Sequence, residues 1–366
     1  MHAQKILIFF CLIFSLNAFS QTSDSTQEKT ETPASKIVLS GHLETYYTWD
    51  TDKDKSLRQF SSTSPYRDMF RINIAQLSGS YSSERFRGIL TIHAGDIVDV
   101  NWTQTNSLKY IQEANLGFMV SNNFWVDAGL FLTHVGTESI FPRYNFLNTL
   151  ALATYYEPIY QTGVKLSYSS GKFYGSFHLC NGFNQLADNN KNKSIGLQLG
   201  YKPNDKLEFT YNNIFGNEQP PENNPKVRLY NNLVVKFFPS NEIDVLVGMD
   251  HCYQGNSSLN DSTHGANLIS GLFAMRYRFS EKFYASYRLE YHNDKSGFLS
   301  GTFLNSDNTI SGLEALGFTL GMEFKPVDFG YVRIEGRYLK AKDSQKIFYE
   351  SKSARFEIIL STGAGF

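Results

Sequence analysis

The sequence predicts an all-β fold, a transmembrane antiparallel β-barrel of about sixteen strands, on three observations. Apolar and polar residues alternate with a period of two through many stretches of roughly ten residues. The connections between these stretches are short and long in turn. Aromatic residues are abundant, with 30 Phe and 22 Tyr among 366 residues, yet the mean hydropathy of −0.32 is too polar for a helical membrane protein. Aromatic girdles at both membrane surfaces would use these rings.

The last strand carries the clearest alternation. Because successive side chains of a strand point to opposite faces, one apolar and one polar face indicate lipid on one side and water on the other. Edge strands of soluble sandwiches also alternate, so this pattern gains weight from the rest of the chain. The chain ends on Phe366, an aromatic C-terminus of the kind that the barrel-assembly machinery of Gram-negative bacteria typically reads. The apolar face comprises Phe356, Ile358, Leu360, Thr362, Ala364 and Phe366, interleaved with Arg355, Glu357 and Ser361.

In three predicted strands before the last one, the charged residues lie on a single face. An Arg or Lys facing lipid near the bilayer centre costs about 2–4 kcal/mol, so this confinement predicts a polar lumen. With about sixteen strands the lumen is too wide for side chains to fill, and we expect an aqueous channel. The pattern breaks at Asn231 and across residues 110–120. The predicted lipid-facing residues are Phe283, Ala285, Tyr287, Leu289, Tyr291, Leu316, Phe318, Leu320, Met322, Phe324, Val332, Ile334 and Tyr338; the predicted lumen-facing residues are Tyr284, Ser286, Arg288, Glu290, His292, Thr319, Glu323, Lys325, Arg333, Glu335 and Arg337.

The connections orient the barrel. Seven short turns alternate with eight long loops, which places both termini on the short-turn, periplasmic side. A soluble sandwich has no reason to put every long loop at one end. The short turns lie at residues 82–84, 121–123, 169–171, 203–205, 239–241, 280–282 and 326–328, and the long loops lie near 51–67, 96–108, 134–158, 184–193, 217–226, 254–265, 294–313 and 341–352.

The N-terminus has the layout of a secretory signal peptide. Lys5 precedes an apolar run at residues 6–14, and the small-residue boundary at 18–20 follows. The run is too short to cross a bilayer, which needs about 20 residues. We therefore expect a signal peptide at 1–20, a disordered periplasmic leader at 21–36 that has no apolar period, and an outer-membrane barrel domain at 37–366.

Composition and cysteine usage exclude several partners. The formal net charge is −1, and removal of Lys5 with residues 1–20 makes it −2, so no basic surface for nucleic acid is expected. Cys11 leaves with the signal peptide, and Cys180 and Cys252 fall on strands that we expect to be separated, so no disulfide framework is predicted. We expect no cofactor.

Candidate metal and catalytic residues are weak. His178 and Cys180 share one strand face, but two ligands without a third are far more often structural, and we predict no metal site. His251 and Cys252 point to opposite faces and cannot chelate together. Residues 189–193 lack the spaced carboxylates that Ca²⁺ requires. No serine sits in a recognisable nucleophile motif, so an enzyme is not expected.

Several segments carry a family resemblance. They are residues 136–140 (Gly-Thr-Glu-Ser-Ile), Pro142, Asn145, and residues 152–165, 181–185, 188–191 and 193–197. On these segments the chain resembles the bacterial outer-membrane porins of the β-barrel porin-2 family. The resemblance covers residues 36–255 well and the last third as a generic barrel. It implies a porin fold and brings no assigned substrate or catalytic residues. Phe183 stands where that family more often has Trp.

The third long loop is the predicted functional segment. It spans residues 134–158, and its apolar stretch at 146–153 could form a short helix. Folded into the barrel, the stretch would be hidden from water and would narrow the pore. Opposed charges across such a constriction filter solutes by charge and dipole. For any single member, an ordinary solvated lumen charge is the simpler interpretation. The predicted constriction comprises Glu138, Arg143 and Glu157 on the loop and Arg71, Arg87, Arg276, Arg278, Arg288, Arg333 and Arg337 on the wall.

Two function classes follow from this organisation. The first is a porin, a water-filled channel for passive diffusion of small hydrophilic solutes and ions through the outer membrane of a Gram-negative bacterium. The alternative is a surface binding, adhesion or scaffold protein that uses the barrel as an anchor, and short loops favour the channel. An active transporter would need a plug domain, for which the leader is too short. Expected partners are outer-membrane lipid, the barrel-assembly machinery through Phe366 and small solutes. A homotrimer is one arrangement open to such a barrel.

Overall fold

The barrel domain is described by a computed structural model that covers residues 35–53, 56–102, 107–186, 192–218 and 226–366. The predicted signal peptide and most of the predicted leader lie outside these residues. Lys36, assigned above to the leader, is the first residue of the first strand. Within the described part of the chain, no helix is long and apolar enough to cross a membrane.

Eighteen strands account for most of the described residues. Sixteen of them form one closed antiparallel barrel, and β14 with β15 form a separate small hairpin. Helices are short: α1 is Asp96–Asn101, α2 is Leu152–Tyr156, and 3₁₀ turns lie at Ser107–Tyr110, Pro142–Tyr144 and Tyr349–Ser351. The strands are β1 Lys36–Asp50, β2 Phe70–Ser82, β3 Phe86–Ala94, β4 Ile111–Ser121, β5 Phe124–Leu132, β6 Tyr160–Ser170, β7 Phe173–Cys180, β8 Ser194–Asn204, β9 Leu207–Asn217, β10 Val227–Phe237, β11 Ile243–Gln254, β12 Ala266–Arg278, β13 Phe283–Asn293, β14 Thr302–Leu304, β15 Ile310–Gly312, β16 Glu314–Val327, β17 Gly330–Ala341 and β18 Ala354–Gly365.

The first and last strands close the barrel. β1 pairs with β18 from His42 opposite Gly365 to Asp50 opposite Glu357. All other barrel neighbours are consecutive hairpins, apart from β13 and β16, which the small hairpin separates in sequence. The predicted sixteen-stranded closed barrel is therefore confirmed. So is the alternation of seven short turns with eight long loops.

Side-chain exposure follows the predicted two faces. On β13, Phe283, Leu289 and Tyr291 are exposed on the outside, whereas Arg288 and Glu290 are buried on the lumen side. The same division holds along β16, β17 and β18. Charge is thus confined to the inner face along the middle of these strands, as expected for a barrel whose outer face meets hydrocarbon, and Lys340 at the loop end of β17 is an exception.

The two expected breaks in the pattern have local causes. Register shifts occur on both sides of β4, between Thr91 and Ile92 of β3 and between Met119 and Ser121 of β4 itself. Asn231 of β10 does face outward, and the Tyr211 hydroxyl donates to its Oδ1 at 2.7 Å. A hydrogen-bonded amide costs less on an apolar face than a free one.

The third long loop forms its helix at a different position from the one expected, and the two cysteines of the barrel lie on separate strands. The helix expected within residues 146–153 instead forms at Leu152–Tyr156, because the segment before it gives its backbone N–H groups to wall carboxylates. Cys180 and Cys252 are buried free thiols on the non-adjacent strands β7 and β11. They contribute to the same apolar cluster.

The lumen wall carries a continuous series of ion pairs, which we call the charge ladder. It runs from β1 through loop 1, the connection at residues 51–69, to β18, β17 and β13, and ends on loop 3, the connection at residues 133–159. All of its side chains are buried, and four arginines balance four carboxylates. The members are Asp50, Arg58, Glu357, Arg355, Arg337, Glu290, Arg288 and Glu138.

Arg337 is the central member of the ladder. On β17 it lies directly opposite Glu357 of β18, with Nη1 3.4 Å from Glu357 Oε1. Its Nε and Nη2 each donate to Glu290 of β13 at 2.9 Å. The intervening strand β16 has Gly317 opposite Glu290, where a Cβ would lie 2.4 Å from Glu290 Cγ. The missing side chain lets Glu290 reach across one strand to Arg337.

We expect Arg337→Met to destabilise the barrel. Removing one partner of a buried ion pair costs about 3–5 kcal/mol, since the remaining charge stays desolvated. The readout is the free energy of unfolding in urea, measured on protein folded into lipid vesicles. Arg278→Met is the matched control, because Arg278 is exposed at the end of β12. Equal stability of the two variants would contradict the role given to the ladder.

The third loop and its seat in the lumen

Loop 3 lies inside the barrel. Its residues Phe141, Leu147 and Leu152 are almost completely buried. Phe141 and Leu150 pack in an apolar cluster with Trp102, and Leu152 packs in another with residues of β16 and β17. The apolar stretch noticed in the sequence is therefore hidden from water against the barrel interior.

Wall carboxylates accept hydrogen bonds from the loop backbone. Asn148 N donates to Glu335 Oε2 at 2.6 Å, and Thr149 N and Oγ1 donate to the same carboxylate. Leu152 N donates to Glu290 Oε2 at 2.6 Å. Because buried backbone groups need partners, these two carboxylates replace the hydrogen bonds that an unstructured loop would make with water.

Wall arginines donate to the loop in turn. Arg288 Nη1 donates to Thr149 O at 2.5 Å and to Glu138 Oε1 at 2.9 Å. Arg333 donates to Pro142 O at 2.7 Å and to Asn145 O at 3.1 Å. Both the N–H groups and the carbonyl groups of the loop backbone therefore bond to charged wall residues. Such charge-assisted hydrogen bonds are stronger than those between neutral groups.

Loop 1 and β1 complete the seat around Asn148. The Asn148 amide Nδ2 donates to Glu44 Oε1 at 3.0 Å. The Ser64 hydroxyl donates to Asn148 Oδ1 at 2.7 Å, and the Thr63 hydroxyl donates to Asn148 O at 2.9 Å. One buried asparagine therefore ties loop 3 to both the wall and a second loop.

The start and end of loop 3 rest on β10 and β11. Gly248 of β11 faces Thr137, and a Cβ at Gly248 would lie 2.1 Å from Thr137 Oγ1. Glu157 lies close to Asp250 of β11, and both side chains are buried. Within the described residues, Glu157 Oε1 and Asp250 Oδ2 have no hydrogen-bond partner. Burial, together with the nearby carboxylates of Asp250 and Glu138, raises the pKa of Glu157 well above its usual range.

The structure brings part of the predicted constriction together. Glu138, Arg288 and Arg333 contact one another or the loop backbone directly, and Arg337 joins them through Glu290. Arg276 reaches the loop through the Phe146 ring, 4.7 Å from its guanidinium carbon, and also pairs with Asp244. These residues form the seat of the loop.

The other predicted members lie elsewhere. Arg71 pairs with Asp96 and Arg87 with Asp127, each at 2.6 Å. Arg278 is exposed at the end of β12. Arg143 lies over the Tyr144 ring of its own loop. Glu157 was expected to face an arginine and instead faces the Asp250 carboxyl group.

Sequence reasoning missed the acceptors that hold the loop. Glu290 and Glu335 were placed on the lumen face, but their role needed the loop path, which the alternation of strand residues does not give. Asn148 and Glu44 carried no signal at all. His178, weighed as a metal ligand, stacks on His134 with ring centroids 3.9 Å apart. Over the described residues, no group of three His, Cys, Asp or Glu side chains is arranged to hold a metal ion.

Comparisons with known proteins agree with this architecture. The family model described as "Putative beta-barrel porin-2, OmpL-like" matches residues 36–366. The anion-selective porin from Comamonas acidovorans is similar with a TM-score of 0.62 and 12% identity, over 91% of this chain and 100% of that chain. The outer membrane channel DcaP of Acinetobacter baumannii is similar with a TM-score of 0.61 and 10% identity, over 91% and 97%. A trimer form of OmpT from Vibrio cholerae gives 0.58 and 13%, over 91% and 100%. No curated protein matches the sequence.

We expect Gly248→Val to loosen loop 3. The added side chain overlaps Thr137, so the loop must leave its position on β11. Trypsin is too large to enter the lumen, and cleavage after Arg143 therefore reports how often the loop comes out. Gly79→Val is the control, because a Cβ at Gly79 meets no atom within 4 Å. Faster cleavage is expected for Gly248→Val alone, and equal rates for both variants would count against this seat.

Proposed function

The chain belongs to the family described as "Putative beta-barrel porin-2, OmpL-like", and we propose that loop 3 sets the pore size and ion preference of its channel. A porin of this family is a barrel of the Gram-negative outer membrane that passes small hydrophilic solutes and ions by diffusion. The observation that carries the proposal is the burial of loop 3 inside the lumen, where it is bonded to β13 and β17 and packs on β16. A loop held inside the barrel reduces the cross-section left for solutes.

Strands β2, β3 and β6 supply water-exposed charges on the lumen wall. Arg71 and Arg87 each have 37% of the side chain exposed, whereas their partners Asp96 and Asp127 have 5% and 1%. Lys165 is 26% exposed and also lies near Asp127. Since the cationic half of each pair faces water and the carboxylate half is buried, the field in the remaining passage favours anions weakly.

Deletion of residues 140–155 tests this proposal. We expect the deletion to raise single-channel conductance in planar bilayers well above that of the wild type, because it removes the segment that occupies the lumen. Deletion of the exposed residues 259–263, in the loop between β11 and β12, is the control and should leave conductance unchanged. Reversal potentials of the wild type in a KCl gradient should show a weak preference for Cl⁻.

Unchanged conductance after the deletion of 140–155 would refute the role of loop 3 while leaving the barrel intact. A clear cation preference of the wild type would refute the account of the exposed arginines. We also propose that residues 1–20 are cleaved during export. We propose that the barrel-assembly machinery recognises Phe366, whose ring is largely exposed.

A homotrimer is our proposal for the assembly. The outer faces of β9 to β12 carry a polar patch in which Tyr211 bonds Asn231 and His251 bonds Asn267, at 2.7 and 3.0 Å. Polar groups on the outer face are better covered by a second copy than by acyl chains. The trimer form of Vibrio cholerae OmpT, a structure of the same fold, supports the stoichiometry.

The mass of the detergent-solubilised protein tests this assembly. We expect the wild type to sediment as a trimer, and the double variant Asn231→Leu and His251→Leu to shift toward monomer, because the polar contacts between copies are lost. The control is Leu233→Ala on the same outer face. A monomeric wild type would contradict the assembly, and a trimer in the double variant would contradict this interface.

A further inference from the structure

A cavity of about 500 Å³ lies where the long loops meet, and we call it the vestibule. Five of the eight long connections line it: loop 1, the connection after β3, loop 3, the connection after β7 and the connection after β13. Its volume falls in the range of roughly 300–1,000 Å³ typical of sites for small organic molecules. Its position at the loop end of the barrel puts it before the seat of loop 3 on the path of an incoming solute.

Aromatic rings form one part of the vestibule. Tyr155 and Tyr156 of α2 lie edge to face with ring centroids 4.9 Å apart, and Phe60 of loop 1 lies 6.1 Å from Tyr155. Phe303 of β14 lies 6.4 Å from Phe60. These rings pack on a buried apolar cluster at the loop ends of β16 and β17, so their positions are fixed before a ligand arrives.

Unused polar groups form the other part. Gln59 Oε1 is buried and has no hydrogen-bond partner. In the described part of the chain, neither the Tyr155 nor the Tyr156 hydroxyl makes a hydrogen bond. The Asn184 Oδ1 atom accepts from Ile159 N and Tyr160 N, which leaves its amide Nδ2 free to donate. Acceptors, donors and hydroxyls are therefore left over beside the rings.

The described residues that line the vestibule are uncharged, and none of them is Asp, Glu, Lys or Arg. Two charged side chains contact lining residues from behind: Arg355 Nη2 donates to Gln59 O at 2.8 Å, and Asp294 accepts from the Ser300 hydroxyl at 3.0 Å. A charged solute would lose hydration here without gaining a counter-charge, which is costly.

We propose that the vestibule binds neutral saccharides on their way into the channel. A sugar ring presents a C–H face that packs on an aromatic ring, and its hydroxyls both donate and accept hydrogen bonds, which is the combination found here. The proposal rests on the channel function proposed above and adds the class of solute. Tyr155 and Tyr156 supply the stacking surface, and Gln59 and Asn184 supply polar contacts.

The test uses the full chain in planar bilayers, with glucose, maltose and glucuronate added on the loop side. We expect maltose and glucose to reduce the ion current in a saturable way, and glucuronate, which differs from glucose by a carboxylate, to have little effect. Tyr156→Ala should weaken maltose binding about tenfold, the factor that corresponds to one aromatic contact of about 1.4 kcal/mol.

Three further variants separate binding from a general loss of loop structure. Tyr156→Phe keeps the ring and should bind maltose nearly as well as the wild type. Gln59→Leu keeps the volume but removes the acceptor, and should weaken binding. Tyr144→Ala changes an exposed tyrosine of loop 3 that does not line the vestibule, and should behave as the wild type.

The outcomes distinguish this inference from the channel itself. Ion conductance without a saturable maltose effect overturns the vestibule and leaves the channel standing. An equal effect of glucuronate, or equal weakening by Tyr144→Ala, also overturns it. If the protein conducts no ions, the channel proposal fails, and calorimetric titration of the solubilised protein with maltose decides the binding site separately: absence of binding refutes it.

Discussion

The need to pair buried charge in a water-filled barrel governs this structure. A lumen that carries water needs polar walls, yet a guanidinium or carboxylate that loses its water must have a partner. The charge ladder meets both conditions, because four arginines and four carboxylates from β1, loop 1, β18, β17, β13 and loop 3 form one connected series. Since its members come from the first and the last strands, the same pairs that neutralise the wall also join the two ends of the barrel sequence.

The position of loop 3 follows from this wall. A carboxylate such as Glu335, with no arginine bonded to it, accepts backbone N–H groups of Asn148 and Thr149. Leu152 of the same loop is then removed from water by packing at the loop ends of β16 and β17. Neither effect suffices alone: apolar burial without hydrogen bonds would leave the loop backbone unsatisfied, and hydrogen bonds alone would not specify which face turns inward.

The sequence predicts features that depend on neighbouring residues better than contacts between residues far apart in the chain. The faces of β13 and β17 were predicted correctly because alternation is a property of neighbours, and the strand number followed from turn residues between them. The pairing of Glu290 with Arg337 could not be predicted, since it crosses β16 and requires Gly317 between them. Glu157 was assigned to an arginine by charge alone, but chain direction after α2 brings it to Asp250 instead.

The lumen is therefore divided into two chemically different sides. On the β13 to β18 side the charge ladder is buried and balanced, so it exerts little field on a passing solute, whereas Lys325 near the short-turn end of β16 is partly exposed. On the β2 to β6 side Arg71, Arg87 and Lys165 remain partly exposed, and their buried carboxylates cancel the field only in part. A solute entering through the uncharged, aromatic vestibule meets this cationic side only afterwards. Separate residues thus select solutes by shape and hydroxyl pattern at the mouth and by charge in the passage. Either set can change by substitution without disturbing the charge ladder that holds the barrel and loop 3 together.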